Sequence, residues 1–427
     1  MSDARETAFF VLSRIEKDSA YANLVLGDVF KNENNCADVK FSYALVKGVL
    51  ERLITLDYML SRCLTQPIKK LKPQVLTILR LGAYQILFMD KVPVSAAVNE
   101  SVKLAKNHGC AFASGLVNAV LRKISSVGEV YPDKSYFIEY LSVKYSFPKY
   151  ICKMFCDKYS PECAEKIMAS SLGAHNLYAR YNTLKNGDIS SEIRHSDVCE
   201  NALILSNFQA KAENKDIKKG YIYIQDLSSQ LCCKALSPQP GQTVIDVCAA
   251  PGGKSITAAQ MMNNKGRIIS CDIYEHKLSL IKENALRTGA DIIETLLRDA
   301  RDKTIKLPMA DRILCDVPCS GLGVTGKKPE IKYKSEEDID SLYEIQYSIL
   351  ENSARFLKKG GKLIYSTCTL NPKENIEICR KFKKVHNDFI LCDILEDIEC
   401  FRENKTVTVL PFIYGCDGFF IACFERI

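Results

Sequence analysis

From about residue 225 onward, short apolar runs alternate with segments of helical period. No other feature of the sequence constrains the fold as tightly. Thr243-Val-Ile-Asp-Val247, Arg267-Ile-Ile-Ser-Cys271, Arg312-Ile-Leu-Cys315 and Lys362-Leu-Ile-Tyr365 read as strands. Helical patterns separate them, among them Glu275 to Thr288 and Ile339 to Leu357. Strands joined through helices predict a doubly wound parallel sheet of the Rossmann-like kind. Two closing runs, Thr406-Val-Thr-Val-Leu410 and Gly418-Phe-Phe-Ile-Ala-Cys-Phe424, predict an antiparallel hairpin on that sheet. Such a hairpin is unusual for dinucleotide-binding enzymes.

Upstream the pattern changes. Residues 1 to about 127 carry apolar side chains at three- and four-residue spacing, and Pro73 and Pro93 fall near helix starts. This predicts an all-α bundle of six or seven helices. From about 130 to 220, helical patterns give way to short strand-like runs: Leu177 to Tyr181, Ala202 to Leu205 and Tyr221 to Ile224. The polar stretch Lys211 to Gly220 reads as a loop. The chain is thus expected to be multidomain: helical 1–128, a small α+β module 129–222, and an α/β domain 223–427 with its terminal hairpin.

Nineteen cysteines is many for 427 residues, yet there is no Cys-x-x-Cys pair and no Cys/His cluster at zinc spacing. No metal is expected. The polar start, Met1 to Glu6, lacks the apolar core of a signal peptide, and no apolar stretch approaches ~20 residues. A cytoplasmic protein with reduced thiols and no membrane span is expected, most of its cysteines serving as small buried hydrophobes. The net charge of +7 is a mild basic excess that suits a polyanionic partner.

Asp246-Val-Cys-Ala-Ala-Pro-Gly-Gly-Lys254 follows the first strand of the α/β region and opens a helix. Its glycines let backbone approach a ligand at a helix N-terminus. It is neither Gly-x-Gly-x-x-Gly nor a P-loop. Asp272 ends the second strand, where an acid accepts from ribose hydroxyls. Asp299 is placed to end a third, within reach of an adenine amine. A tight turn or a helix cap would explain any one of these alone. All three in register point to a nucleoside cofactor without a phosphate-binding motif, S-adenosylmethionine. Its expected contacts are Asp246, Cys248, Ala249, Ala250, Pro251, Gly252, Gly253, Lys254, Asp272, Asp299 and Asp316.

Two thiols sit past the ends of strands: Cys319 in Asp316-Val-Pro-Cys-Ser-Gly-Leu-Gly323 and Cys368 in Tyr365-Ser-Thr-Cys-Thr-Leu370. Ligands of parallel sheets bind at those ends. These motifs, together with Asp246 to Lys254, resemble those of the RNA (cytosine-5)-methyltransferases of the NOL1/NOP2/Sun group. The N-terminal segment resembles a NusB-type RNA-binding domain. Phe147-Pro-Lys-Tyr150 opens what resembles the group's small ferredoxin-like module, and Asp417-Gly-Phe-Phe420 matches the hairpin. The three-part layout is similar to the bacterial Fmu/Sun branch, and the resemblance covers essentially the whole chain.

The resemblance implies methylation of carbon 5 of a cytosine in 16S ribosomal RNA, free or partly assembled, by a monomer. A thiolate adding to carbon 6 makes carbon 5 nucleophilic, and cysteine both attacks and leaves well. Cys368 is implied to be the nucleophile and Cys319 to help release the adduct. Asp316 is implied to hold the cytosine N3/N4 edge. DNA cytosine-5 methyltransferases instead use the Pro-Cys cysteine, but Ser-Thr-Cys-Thr is present here. Lys327-Lys-Pro-Glu-Ile-Lys-Tyr333 resembles the family's basic substrate loop, with lysines where arginines are usual; a solvated charge run is the bland alternative. Two other functions stand beside the first: the same reaction on transfer RNA or another ribosomal site, and a non-catalytic RNA-binding or antitermination protein.

Overall fold

A computed structural model describes residues 4–18, 36–173, 175–185, 187–190, 193–206 and 214–427. The chain forms two compact units: Met1–Leu172 with Thr325–Tyr333, and Gly173–Val324 with Lys334–Ile427.

The first unit is helical among its described residues. Its α-helices are α1 (Ala4–Asp18), α2 (Cys36–Glu51), α3 (Leu53–Cys63), α4 (Pro73–Phe88), α5 (Val94–Asn107), α6 (Ser114–Val127), α7 (Phe137–Tyr145), α8 (Lys149–Tyr159) and α9 (Pro161–Ala169). Pro73 occupies the first turn of α4, where its missing N–H costs nothing. The periodic apolar positions, Leu45, Leu56, Leu60, Ile78, Val117 and Leu121 among them, are fully buried in one core.

A 3₁₀ turn, Pro329–Tyr333, packs into this unit. Lys332 is fully buried and donates to the carbonyls of Glu51 and Tyr145, both at 3.2 Å, with its ammonium 4.5 Å from the Phe147 ring centroid. Tyr333 donates to the Leu50 carbonyl at 2.7 Å. Lys328 is exposed, but the end of the expected substrate loop is packed, so the segment is not a solvated charge run. Counting charges does not reveal this: a lysine whose amino group meets carbonyls and a ring face can be buried.

The second unit opens with a four-stranded antiparallel sheet ordered β2-β3-β1-β4: β1 (Leu177–Tyr181), β2 (Arg194–His195), β3 (Ala202–Leu205) and β4 (Ile222–Ile224). The segment 129–222 is therefore shared, with α7 to α9 in the first unit and the small sheet in the second. The expected loop before β4 carries a one-turn helix, α10 (Lys215–Lys219), capped by the Asn214 side chain accepting from Asp216 N. Lys211–Glu213 lie outside the described residues.

After α11 (Leu227–Leu236) comes the main sheet, ordered β11-β12-β13-β9-β8-β5-β6-β7, with β10 paired to β13. β5 (Thr243–Asp246), β6 (Arg267–Asp272), β7 (Ile293–Leu297), β8 (Ala310–Asp316) and β9 (Leu357–Thr367) are parallel. The connecting helices include α12 (Gly253–Met261) and α13 (Glu275–Thr288). β10 is Phe389–Leu391, β11 is Phe401–Glu403, and β12 (Thr406–Val409) and β13 (Phe419–Arg426) form the expected hairpin, with β13 antiparallel to β9. The expected helix Ile339–Leu357 is two helices, α14 (Glu336–Asp340) and α15 (Tyr343–Ala354), and Leu357 already begins β9. Ile339 and Ile349 are both buried, so the apolar period runs through the break unmarked. α16 (Ile376–Val385) follows β9, and α17 (Pro411–Tyr414) lies within the hairpin connection.

Strand alternation supplies both faces of the sheet. Val244, Ile268, Leu314 and Ile364 pack on one side; Ile245, Ile269, Ile313 and Leu363 pack on the other. The order reverses between β5 and β8, which places a crevice at their carboxyl ends.

Candidate active site

The crevice is built by four strand ends of the second unit. Asp246, the last residue of β5, is buried; its Oδ2 accepts from Ser255 Oγ at 2.7 Å, and its Oδ1 is buried without a partner. Burial pushes its carboxyl up to about 7, against the lowering effect of the Ser255 hydrogen bond and the Lys254 charge. The loop then turns into α12. Gly252 sits at φ 101°, and a Cβ there would meet Ile281 at 3.3 Å, so glycine is required. Ala249 N donates to the Cys271 carbonyl at 2.8 Å, and Asn284 Nδ2 to the Pro251 carbonyl at 3.0 Å, tying the loop to neighbouring elements.

Asp272 ends β6, as expected, and accepts from Tyr274 N at 3.1 Å. Asp299 lies two residues past β7, with both oxygens held by Arg301 (closest 2.6 Å), which keeps its carboxyl below the ordinary range. A cavity of about 370 Å³ is lined by Cys248, Ala250, Asp272, Tyr274, Lys277, Arg298, Asp299 and Asp316. A smaller hollow of about 170 Å³ is lined by Gln225, Asp246, Pro251, Gly253, Lys254 and Asp316. Orphaned polar atoms cluster here: Asp246 Oδ1, Gln225 Nε2, and Arg298 Nε and Nη1 are buried without a hydrogen-bond partner. Buried polar groups are ordinarily paired. A polar ligand with an amino-acid end and a nucleoside end fits these residues.

Asp316 joins the two hollows to the thiols. Its Oδ2 meets Lys254 Nζ at 2.6 Å, and its Oδ1 accepts from Ser366 Oγ at 2.9 Å. The second bond follows from strand register, because Asp316 pairs with Ser366 across β8 and β9. Burial pulls the Lys254 ammonium down, but Asp316 beside it more than offsets this and leaves it above its ordinary value.

The two cysteines converge. Cys319 Sγ and Cys368 Sγ lie 3.2 Å apart, each half-buried. Contact with Cys368, then burial, push the Cys319 thiol well up; by geometry either sulfur can donate. Eleven of the eighteen described thiols are buried, and Cys319 and Cys368 are among the seven that are half-buried. Gly323 closes the Pro-Cys loop: its N–H donates to the Cys368 carbonyl at 3.0 Å and its carbonyl accepts from Gly418 N at 2.8 Å.

Every residue expected to bind cofactor thus lies along this crevice or in the loop that shapes it. Four further contacts were not foreseen. Ser366 was readable as the residue opposite Asp316 once the strands were paired. Gln225, Arg298 and Glu374 are polar residues beside apolar runs, a pattern shared with many surface positions, and only their burial sets them apart.

Among the described residues no helix is long and apolar enough to cross a membrane, and no group of three metal-ligating side chains is present. Residues 233–425 match the family model described as 16S rRNA methyltransferase RsmB/F, and residues 2–126 match that of the NusB family. The chain is 37% identical over 447 residues to the probable ribosomal RNA small subunit methyltransferase B of Bacillus subtilis, covering 100% of this chain and 99% of that one. It is 31% identical over 448 residues to the protein of the same description from Synechocystis sp., covering 100% of both. The solved structure of PH0851 superimposes with a TM-score of 0.80 at 24% identity, over 100% of this chain and 99% of that one, a likeness in fold. The chain belongs to the ribosomal RNA small subunit methyltransferase B family, transferases that use S-adenosylmethionine.

Proposed function

We propose that this protein methylates carbon 5 of one cytosine in 16S ribosomal RNA, free or partly assembled, through a covalent bond between Cys368 and carbon 6. The observation that carries the reading is the 3.2 Å approach of two thiols beside the Asp316–Lys254 pair. Asp246, the Cys248–Lys254 loop, Asp272 and Asp299 would hold the cofactor. Bound S-adenosylmethionine supplies an electrophilic methyl group on a sulfonium.

The protein's own residues do the rest. Cys368, as thiolate, adds to carbon 6, and the electron pair of the 5,6 double bond moves toward carbon 5. Asp316 receives the N3/N4 edge of the base and favours its protonation as negative charge enters the ring. Lys254, held 2.6 Å from Asp316, orients that carboxylate. After carbon 5 has been alkylated, solvent takes its proton, the pair of that C–H bond restores the double bond, and the carbon 6–sulfur pair leaves with Cys368 as thiolate. Cys319, 3.2 Å from Cys368, is assigned to this release step. A base must leave its stack to reach Cys368, so unpaired RNA is the easier substrate. The helical segment 1–128 and the module 129–222 would add phosphate contacts, whose strength falls with salt. The protein is proposed to act in the cytoplasm as a monomer.

Bisulfite sequencing of small-subunit ribosomal RNA tests this, comparing cells that carry the wild-type protein with cells that carry Cys368→Ala. One 5-methylcytosine should disappear in the variant. An unchanged pattern would overturn the assignment to this RNA.

A further inference from the structure

Glu374 takes no part in the chemistry above, yet its carboxylate lies fully buried beneath both thiol loops. Oε1 accepts from Ser320 N at 2.7 Å and from Gln346 Nε2 at 2.9 Å. Oε2 accepts from Ser320 Oγ at 2.5 Å, Asn371 Nδ2 at 3.1 Å and Thr369 Oγ1 at 3.3 Å. No ion pair to Glu374 occurs among the described residues. A buried carboxylate with no cation is costly unless its lone pairs are filled by fixed donors, and here they are.

The identity of those donors is informative. Ser320 follows Cys319, and Thr369 follows Cys368. The two hydroxyl oxygens lie 2.7 Å apart across the loops; with one proton each, a bond between them takes the place of one of their bonds to the carboxylate. Gln346 adds a bond to the Pro318 carbonyl at 3.0 Å, so Cys319 is held on both sides. One carboxylate therefore ties down the residues flanking both thiols.

We infer that Glu374 is the positioning residue of the thiol pair: it fixes the separation of Cys319 and Cys368, and its charge biases which of them carries the proton. This rests on the two-thiol reading proposed above. The charge acts in the expected direction, since Glu374 adds to the upward push on Cys319. The other titratable groups around the pair are Asp316, Tyr343 and Tyr365, and Lys334, whose ammonium meets the Ser320 carbonyl at 3.0 Å.

Glu374→Gln is the test. A glutamine keeps the volume but sets its NH2 against Asn371 Nδ2 on one side, or against Ser320 N and Gln346 Nε2 on the other, so at least one tie is lost and the loops loosen. The turnover number should fall about 100-fold, as a displacement of roughly 1 Å at reacting groups costs, with the KM for RNA and the affinity for S-adenosylmethionine nearly unchanged. The alkaline limb of the pH–rate profile should also move down, because a negative charge beside Cys319 is gone. A merely structural role would lower the rate equally at every pH and leave the limb in place, and that result would overturn the inference.

Failure of the underlying reading looks different: Cys368→Ala would remain active in an otherwise wild-type chain. Should Glu374→Gln not fold, Ser320→Ala carries the test. It removes the hydroxyl bridge and keeps the charge, so the turnover number should drop with the alkaline limb unmoved. A wild-type turnover number in Ser320→Ala would refute the clamp.

Discussion

Replacing Gly323 by alanine perturbs the site through space alone. A Cβ on Gly323 would lie 1.9 Å from the Gly418 carbonyl oxygen, 2.6 Å from its carbon and 2.9 Å from the Cys368 carbonyl oxygen. All three neighbours are backbone, so no side chain can swing aside. A carbon–oxygen contact settles at roughly 3.3 Å, so the Gly418 segment must retreat by more than an ångström. That motion breaks the bonds from Gly418 N to Gly323 O and from Gly323 N to Cys368 O. Each is worth about 1 kcal/mol net, and overpacking adds about 1–3 kcal/mol, so a loss of about 3–5 kcal/mol in stability is expected. The residue before β13, the Pro-Cys loop and the Cys368 backbone all meet here, so the thiols move with them. A shift of this size costs about 100-fold in rate. The assay is single-turnover methyl transfer to RNA, with cofactor affinity and thermal unfolding measured on the same variant. Cofactor binding should persist, since the crevice at Asp246 and Asp272 is untouched. Transfer within threefold of wild type would refute the reasoning, because it would mean that the contact is not rigid or that the thiol loops do not depend on it.

Other expectations follow from buried charge. Burial pushes Lys332 down to about 7, so between pH 7 and about 10 the unfolded chain holds a proton that the folded helical unit does not. Its contribution to stability therefore rises with pH across that window, by on the order of 4 kcal/mol, and the melting temperature of wild type should rise relative to that of Lys332→Met as the pH is raised from 7 to 9; a constant difference would contradict this. Asp246, pushed up to about 7 by burial, should ionise as a cofactor of net positive charge binds, so that affinity climbs between pH 6 and 8; calorimetry on Asp246→Asn should give weaker binding without that slope. An unchanged slope in the variant would assign the proton to another group.

Much of this arrangement was legible in the sequence, and what escaped has physical reasons. The parallel strands could be read from β-branched runs because burial on both faces leaves little else they can be. Asp246, Asp272 and Asp316 fall at strand ends, where topology alone makes a crevice. The thiol pair could be suspected from two motifs, but the 3.2 Å contact depends on β8 and β9 being neighbours. Lys332 and Glu374 were invisible for the same reason: charged residues read as surface, and only tertiary structure supplies the carbonyls, amides and hydroxyls that make their burial tolerable. The division of 129–222 between two units was likewise hidden, since helices α7 to α9 have apolar faces that do not declare which core they join.

The assignment of roles to the two thiols is the central claim, and adduct mapping tests it most directly. Cys319→Ala protein is incubated with S-adenosylmethionine and small-subunit ribosomal RNA, run on a denaturing gel, digested, and the nucleotide-bearing peptide identified by mass spectrometry. The account predicts a stable protein–RNA adduct on the peptide containing Cys368, and none in Cys368→Ala. An adduct trapped by Cys368→Ala and carried on the Cys319 peptide would reverse the roles and contradict it.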